Sequence, residues 1–574
     1  MLRNKDFRLW RLGWGERLKS LLLVICLSGC FNPLPSPTPV STPVSTPVPT
    51  PTASVPLATN WWDSAVFYEI FVRSFYDSNG DGMGDLNGVI AKLDYLNDGD
   101  PNTTTDLGIT GLWLMPIHPS PSYHGYDVTD YYAVNPDYGT ADDFRRLVAE
   151  AHARDIRVII DFVMNHTALT HPWFVEAQDP QSPRRAWYRW SATDPGGVGT
   201  WSQRVWHVAP TGDYFYGVFW EGMPDLNYAN PAVQTEMTNV ARFWLEEMGV
   251  DGLRIDGARY VVEAAENNKP ILADSVGNHD WIQTFRTAYK AINPAAMTVG
   301  EVWTGNDVVA TYLQGNEFDL AFNFDLASAM VSSANSGDAD AARLSLALSL
   351  KLLPPHMTAT FLTNHDIDRV MSQLGNDVNK AKRAATLLFT LPGVPFLYYG
   401  EEIGLLGKKP DEDIRLPMQW SGEANGGFTT GTPWRALNAD AATKHVAAQQ
   451  TDPNSLLAHY RALIALRQAH PALQQGETFK MKSANRAVLP YLRATDGEIL
   501  VVVNNLRDDS TNDYGLTLET GPLAPGQRYQ LTAVWGDGPF AEVVANVNGG
   551  FQGYQPTATL SPGQTLILAL QPVP

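Results

Sequence analysis

From residue 61 onward, short apolar runs alternate with stretches whose apolar positions recur at helical spacing. Eight of the runs read as strands: 66–75, 109–116, 158–164, 252–256, 297–302, 318–324, 359–363 and 394–399. Helical periodicity lies between them, clearest at 140–153, 239–248 and 380–390. Eight strands alternating with helices predict an α/β fold, a (β/α)8 TIM barrel built from 61–166 and 228–475. The connection after the third strand is longer than the others, which predicts a small domain inserted at 167–227. The tail, 476–574, changes texture. Its runs at 487–493, 499–505 and 565–570 are strand-like with Gly, Asp and Asn turns between, predicting a C-terminal β-sandwich.

The N-terminus reads as an address. Residues 1–20 carry Arg3, Lys5, Arg8, Arg11, Arg17 and Lys19 against Asp6 and Glu16. The apolar run that follows, 21–27, is too short to span a bilayer as a mature helix. Leu27-Ser28-Gly29-Cys30 then resembles the lipobox of bacterial lipoproteins. That likeness implies a signal peptide at 1–29, lipidation of Cys30, export, and anchoring to a bacterial membrane or cell surface. Cys26 and Cys30 are the only cysteines, so the mature chain would make no internal disulfide. Residues 32–60 hold nine Pro and no charge, a composition that favours an extended spacer over a packed core.

Composition narrows the partner. With 17 Trp, 22 Tyr and 22 Phe in 574 residues the chain is globular. A net charge of −20 argues against nucleic acid, whose phosphates need a basic footprint, and leaves a neutral partner such as a sugar open. A monomer is expected.

Active sites of such barrels lie at the C-terminal ends of the strands. Strand 3 ends in Asp161-Phe-Val-Met-Asn165-His166, strand 4 reads Gly252-Leu-Arg254-Ile-Asp256-Gly257, strand 5 Gly300-Glu301-Val-Trp303, and strand 7 Thr363-Asn364-His365-Asp366. Three carboxylates, Asp256, Glu301 and Asp366, should therefore meet on one rim. A single Asp after a strand is more often a helix cap than a catalyst. Four such motifs in order at successive strand ends carry the inference.

Those four motifs (DFVMNH, GLRIDGARY, GEVW and TNHD) resemble the conserved regions of the α-amylase family, glycoside hydrolase family 13. Met223-Pro-Asp-Leu-Asn227 resembles the family's fifth region in the form found between neopullulanases and oligo-1,6-glucosidases. Glycoside cleavage passes through an oxocarbenium-like state and needs two carboxyl groups flanking the bond. The resemblance implies Asp256 as nucleophile and Glu301 as general acid, then base. It implies Asp366 as the ligand of the sugar's 2- and 3-hydroxyls, contacts that strengthen toward the transition state. By the same likeness Arg254 would keep the nucleophile ionised, Tyr126 would stack on the sugar, and Asp127, His166, His365 and Arg369 would contact it. The inserted segment is rich in aromatics, among them Trp201, Phe219 and Trp220, which read first as a small domain's core.

Two departures bear on specificity. Gly257 follows the nucleophile where oligo-1,6-glucosidases carry Val, which argues for α-1,4 bonds. Tyr123 stands where those exo-acting enzymes place an Asp that closes the pocket, which argues for an open cleft and endo action on α-glucans. Within the family the alternatives are a maltodextrin glucosidase, a neopullulanase or a cyclomaltodextrin hydrolase; outside it, a glucan-binding lipoprotein without catalysis. Asp77, Asn79, Asp81, Met83 and Asp85 space oxygen donors two apart, which suits structural Ca²⁺, although position 12 is Gly88 rather than the Glu of an EF-hand. A second calcium site through Asn165 and Asp225 would lack the family's His, since Tyr260 holds that position.

Overall fold

A computed structural model of the protein describes residues 60–266 and 269–574. The basic leader, Cys30 and most of the Pro-rich spacer lie outside the described residues. Among the described residues, eight parallel strands close into a barrel in sequence order: β1 (Phe67–Ile70), β2 (Gly111–Leu114), β3 (Arg157–Phe162), β4 (Gly252–Ile255), β5 (Met297–Gly300), β6 (Leu320–Phe322), β7 (Thr358–Thr360) and β8 (Val394–Tyr398). Pairing of Phe67 with both Gly111 and Phe396 seals the ring.

Several strands are shorter at their C-terminal ends than the apolar runs that predict them. After Ile70 the chain turns at once into a helical turn, Val72–Phe75, with the Ser74 N–H bonded to the Phe71 carbonyl. Phe71, Val72 and Phe75 are nonetheless fully buried, so apolarity here marks buried loop rather than strand. At 318–324 the reason differs: the Asn323 side chain caps a helix, Phe324–Ser336, and ends the strand early. The helix predicted at 239–248 also starts sooner. Asn230 caps it and Pro231 occupies its first position, so it runs Pro231–Arg242 and then widens over Phe243–Glu247.

Alternation along a strand places every second residue on the barrel's inner face. Phe67, Trp113, Ile159, Met297, Val299, Leu320, Phe322, Ala359, Val394 and Phe396 form one apolar cluster there. The rings of Phe67 and Phe396 stack at 4.3 Å. Two residues further along the same inward rows come Glu69, Asp161 and Glu301, while Gly252 leads to Arg254 and Asp256. The inner face thus changes from apolar to charged toward the C-terminal mouth.

Between β3 and β4 lies a three-stranded antiparallel sheet of Trp190–Ser191, Tyr214–Tyr216 and Trp206–Val208, with Phe174 packed on Trp190 and Phe215. Beyond the helix Pro471–Gln475 come a six-stranded and a three-stranded antiparallel sheet. Val488, Leu492, Val501 and Val503 of the first share a core with Leu516, Leu518 and Phe551 of the second, the arrangement of a sandwich.

Candidate active site

Arg254 is the hub of the mouth. It is 1% exposed, and its Nη1 donates 2.7 Å bonds to both Asp161 and Asp256, while Nη2 lies 3.0 Å from Glu301. A buried guanidinium is tolerable only when paired, and here three carboxylates share the one charge. The excess of negative charge has a consequence. Burial, reinforced by Asp256 and Asp366 and opposed by Arg254, pushes the Glu301 carboxyl up to about 7. The Gly257 N–H donates to Glu301 Oε2 at 2.9 Å and holds it beside Asp256. Asp161, buried beneath, is pushed up to about 6 by the same combination of burial and the Asp256 charge.

Asp366 is held from two other directions. Arg415 donates to its Oδ1 at 2.9 Å, and His365 Nε2 lies 3.2 Å from its Oδ2. Burial opposes ionisation, but His365 and Arg415 outweigh it and hold this carboxyl well below the usual carboxylate range. His365 in turn bonds Glu69 through Nδ1; burial disfavours its charge, yet Asp366 and Glu69 prevail and push it up to about 10. The Tyr126 hydroxyl bridges Asp161 at 3.0 Å and His365 at 2.6 Å, its ring stacked on the imidazole. His166 Nε2 meets the Tyr126 carbonyl at 3.1 Å, and burial keeps it neutral by lowering its pKa.

The structure therefore brings Asp256, Glu301, Asp366, Arg254, Tyr126, His166 and His365 together. Two predicted sugar contacts do not join them. Arg369 is buried between the rings of Tyr398 and Tyr399 and donates to the Tyr399 and Ile414 carbonyls, so it fixes the loop that presents Arg415. Asp127 accepts hydrogen bonds from Ser120 and Ser122 and closes the turn that carries Tyr126. Arg415 and Glu69 are the members that the sequence reading missed. Glu69 is signalled by an acidic residue inside an apolar strand, whereas the loop sequence Glu412-Asp413-Ile414-Arg415 carries no comparable mark.

Gly257 has a backbone φ of +51°, and a Cβ there would come 2.9 Å from Phe219 Cζ. Val at this position would be strained twice over, by conformation and by contact.

Residues 69–476 match the alpha-amylase family, over the part described as the alpha amylase catalytic domain. The chain belongs to the alpha-amylase family. Among relatives, an alpha-amylase 3 of Dictyoglomus thermophilum is 41% identical over 452 residues, 78% of this chain and 85% of that protein. A trehalose synthase/amylase of Mycobacterium tuberculosis is 34% identical over 519 residues, 79% of this chain and 83% of that one. The crystal structure of an alpha-amylase from H. orenii superposes with a TM-score of 0.76 at 41% identity, covering 88% of this chain and 99% of that one. This alpha-amylase family member is a glycosidase.

The loop predicted to bind calcium is folded by its own side chains. Asp77 accepts from the Asn79 and Gly80 N–H groups, Asn79 from Asp81, and Asp81 from Met83, each at 2.7–3.0 Å. Asp85 caps the helix Leu86–Ala91 and accepts from Ser78. Asn79 Oδ1, Asp81 Oδ1 and Asp85 Oδ2 each accept a single such bond and keep a lone pair of the hard-oxygen kind that suits calcium, whereas both Asp77 oxygens already accept two, the second pair from the Gly82 N–H and the Thr429 hydroxyl. Among the described residues no group of three or more His, Cys, Asp or Glu is gathered as a metal site, so Asn79 and the Met83 carbonyl would have to complete the set. Near the second candidate site, the Asn165 Oδ1 is buried without a hydrogen bond, and burial with the neighbouring Glu263 holds Asp225 well above the usual carboxylate range. Arg189 pairs with Glu263 at 3.0 Å in the same cluster.

Proposed function

We propose that the protein is a retaining, endo-acting α-amylase that hydrolyses α-1,4 bonds in starch, maltodextrins and related glucans. The carrying observation is the pair Asp256 and Glu301 on neighbouring nitrogens of one guanidinium. Retaining glycosidases hold their two carboxyl groups roughly 5 Å apart. In this reading Asp256 attacks the anomeric carbon as Glu301 gives its proton to the leaving oxygen. Glu301 then takes a proton from water, whose oxygen displaces Asp256. The raised Glu301 and the ionised Asp366 suit that division: one group holds a proton near neutrality and the other offers a charge to sugar hydroxyls.

Endo action rests on Tyr123, which stacks on Trp434 at 5.7 Å where an exo enzyme would place a charged stop. Product analysis tests it. Soluble starch should lose viscosity early and yield mixed maltooligosaccharides. Glucose released alone from chain ends would overturn endo action, and conversion of maltose to trehalose without net hydrolysis would move the protein toward its trehalose synthase relatives.

Calcium at Asp77, Asn79, Asp81, the Met83 carbonyl and Asp85 would brace the loop that leaves β1. Chelation by EGTA should then lower the unfolding temperature, calcium should restore it, and Asp81→Ala should abolish the difference. Export and lipid anchoring through Cys30 belong to the same proposal and rest on the Leu-Ser-Gly-Cys motif. Labelled fatty acid should enter the wild-type chain and not Cys30→Ala.

A further inference from the structure

Trp201 and Trp220 are the tryptophans of the inserted segment left open to solvent, and Trp201 is the one stacked on the ring of Phe219. It is 44% exposed, although neighbours such as Phe215 and Tyr216 are buried. Its position is nevertheless tightly specified. It sits on a turn between the bridged residues Val198 and Arg204, where Ser202 adopts a φ of +66°. Its backbone N–H donates to Gln203 Oε1 at 2.9 Å, and Gln203 Nε2 donates to the Val218 carbonyl at 2.6 Å. One face of the indole stacks on Phe219 at 5.7 Å, and the ring lies tilted against Tyr260 at 5.3 Å. An open aromatic face on a pinned turn is an arrangement that water does not favour.

The platform is continuous with the reacting groups: Phe219 meets the His166 ring at 5.2 Å and leans toward Glu301. Phe219 crowds Gly257, whose N–H holds Glu301. Asp366, Arg415, Tyr123 and Trp434 make a separate group of contacts, on the side where Asp366 is held. Glu301 is the group that protonates the leaving oxygen, so what lies beside it meets the leaving half of the chain.

We propose that Trp201, backed by Phe219 and Tyr260, is the stacking platform for glucose residues on the leaving-group side of an α-glucan. The inference rests on the endo-amylase reading above. The apolar C–H face of a glucose ring matches an indole face, and such contacts add to affinity without directed hydrogen bonds. The same surface holds an acceptor sugar. Once Asp256 carries the glycosyl group, the acceptor's hydroxyl oxygen forms a bond to the anomeric carbon. The bond from that carbon to Asp256 breaks, and the hydroxyl proton passes to Glu301. Trp201 thereby governs how often sugar rather than water completes the reaction.

Two substrates separate this role from a structural one. Maltoheptaose occupies both sides of the cut, whereas α-maltosyl fluoride releases only fluoride and leaves the platform empty. Trp201→Ala should lower kcat/KM on maltoheptaose by about tenfold, mainly through KM, as expected for loss of about 1.4 kcal/mol of binding. Turnover of α-maltosyl fluoride should stay within about twofold, since nothing is removed from its side. The share of transfer products with added maltose should fall, and Trp201→Phe should restore most of both losses. If Trp201→Ala does not fold, Trp201→Leu, which keeps apolar cover on Phe219, is judged by the same ratios. An unchanged maltoheptaose KM, or an equal loss on both substrates, would overturn the platform alone. Absence of wild-type turnover on either substrate would bring down the endo-amylase reading and the platform with it.

Discussion

The lower and upper layers of the barrel interior come from the same strands, two residues apart, yet they are held by opposite means. Phe67, Ile159, Val299 and Phe396 fill the lower layer with apolar volume, stacked and interdigitated. Glu69, Asp161, Arg254, Asp256 and Glu301 make the upper layer out of charge, each group restrained by a named partner. The lower layer gains stability from area removed from water and asks only for shape. The upper layer pays to desolvate Arg254 and the three carboxyl groups around it, and its compensation depends on geometry. One layer stabilises the molecule; the other stores the reactivity that the first makes possible.

Three measurements test that contrast. The largest effect should come from Asp256→Asn, which removes the attacking charge and keeps the shape: kcat on maltoheptaose should fall by at least about 10⁴-fold with the unfolding temperature retained. A fall of only tenfold would mean that the upper layer is not organised around this carboxylate. Next come two substitutions of similar chemistry and different layer. Arg254→Met should destabilise by about 3–5 kcal/mol in urea unfolding and abolish turnover, because Asp161, Asp256 and Glu301 are left without their shared partner. Phe396→Leu in the lower layer should cost less than about 1.5 kcal/mol and spare kcat. Equal effects from the pair would erase the distinction between the layers.

The smallest effect is in pH. Glu301 must carry a proton to release the leaving group, and burial with its acidic neighbours pushes it up to about 7. The required form is therefore full below that value and lost as pH rises through it. kcat/KM should decline about tenfold per pH unit on the alkaline side. In Glu301→Gln the residual activity toward α-maltosyl fluoride, which needs no proton from the enzyme, should lack that alkaline limb.

Much of this was legible in the chain itself. Eight apolar runs of strand length, spaced by helical stretches, determine a closed parallel barrel because few other architectures bury such strands on both faces. The motifs at four strand ends located Asp256, Glu301, Asp366 and Arg254, since a strand's alternation tells which residues share a face. Only the folded molecule decided the rest. That Arg369 braces a loop while Arg415 reaches Asp366 depends on where a distant segment returns to the mouth. That Trp201 is open while Phe215 and Tyr216 are packed depends on a turn pinned to Val218. Local periodicity records which face a residue takes within its own element; which residues from remote segments meet across the mouth is settled by long-range packing, and no short-range pattern encodes it.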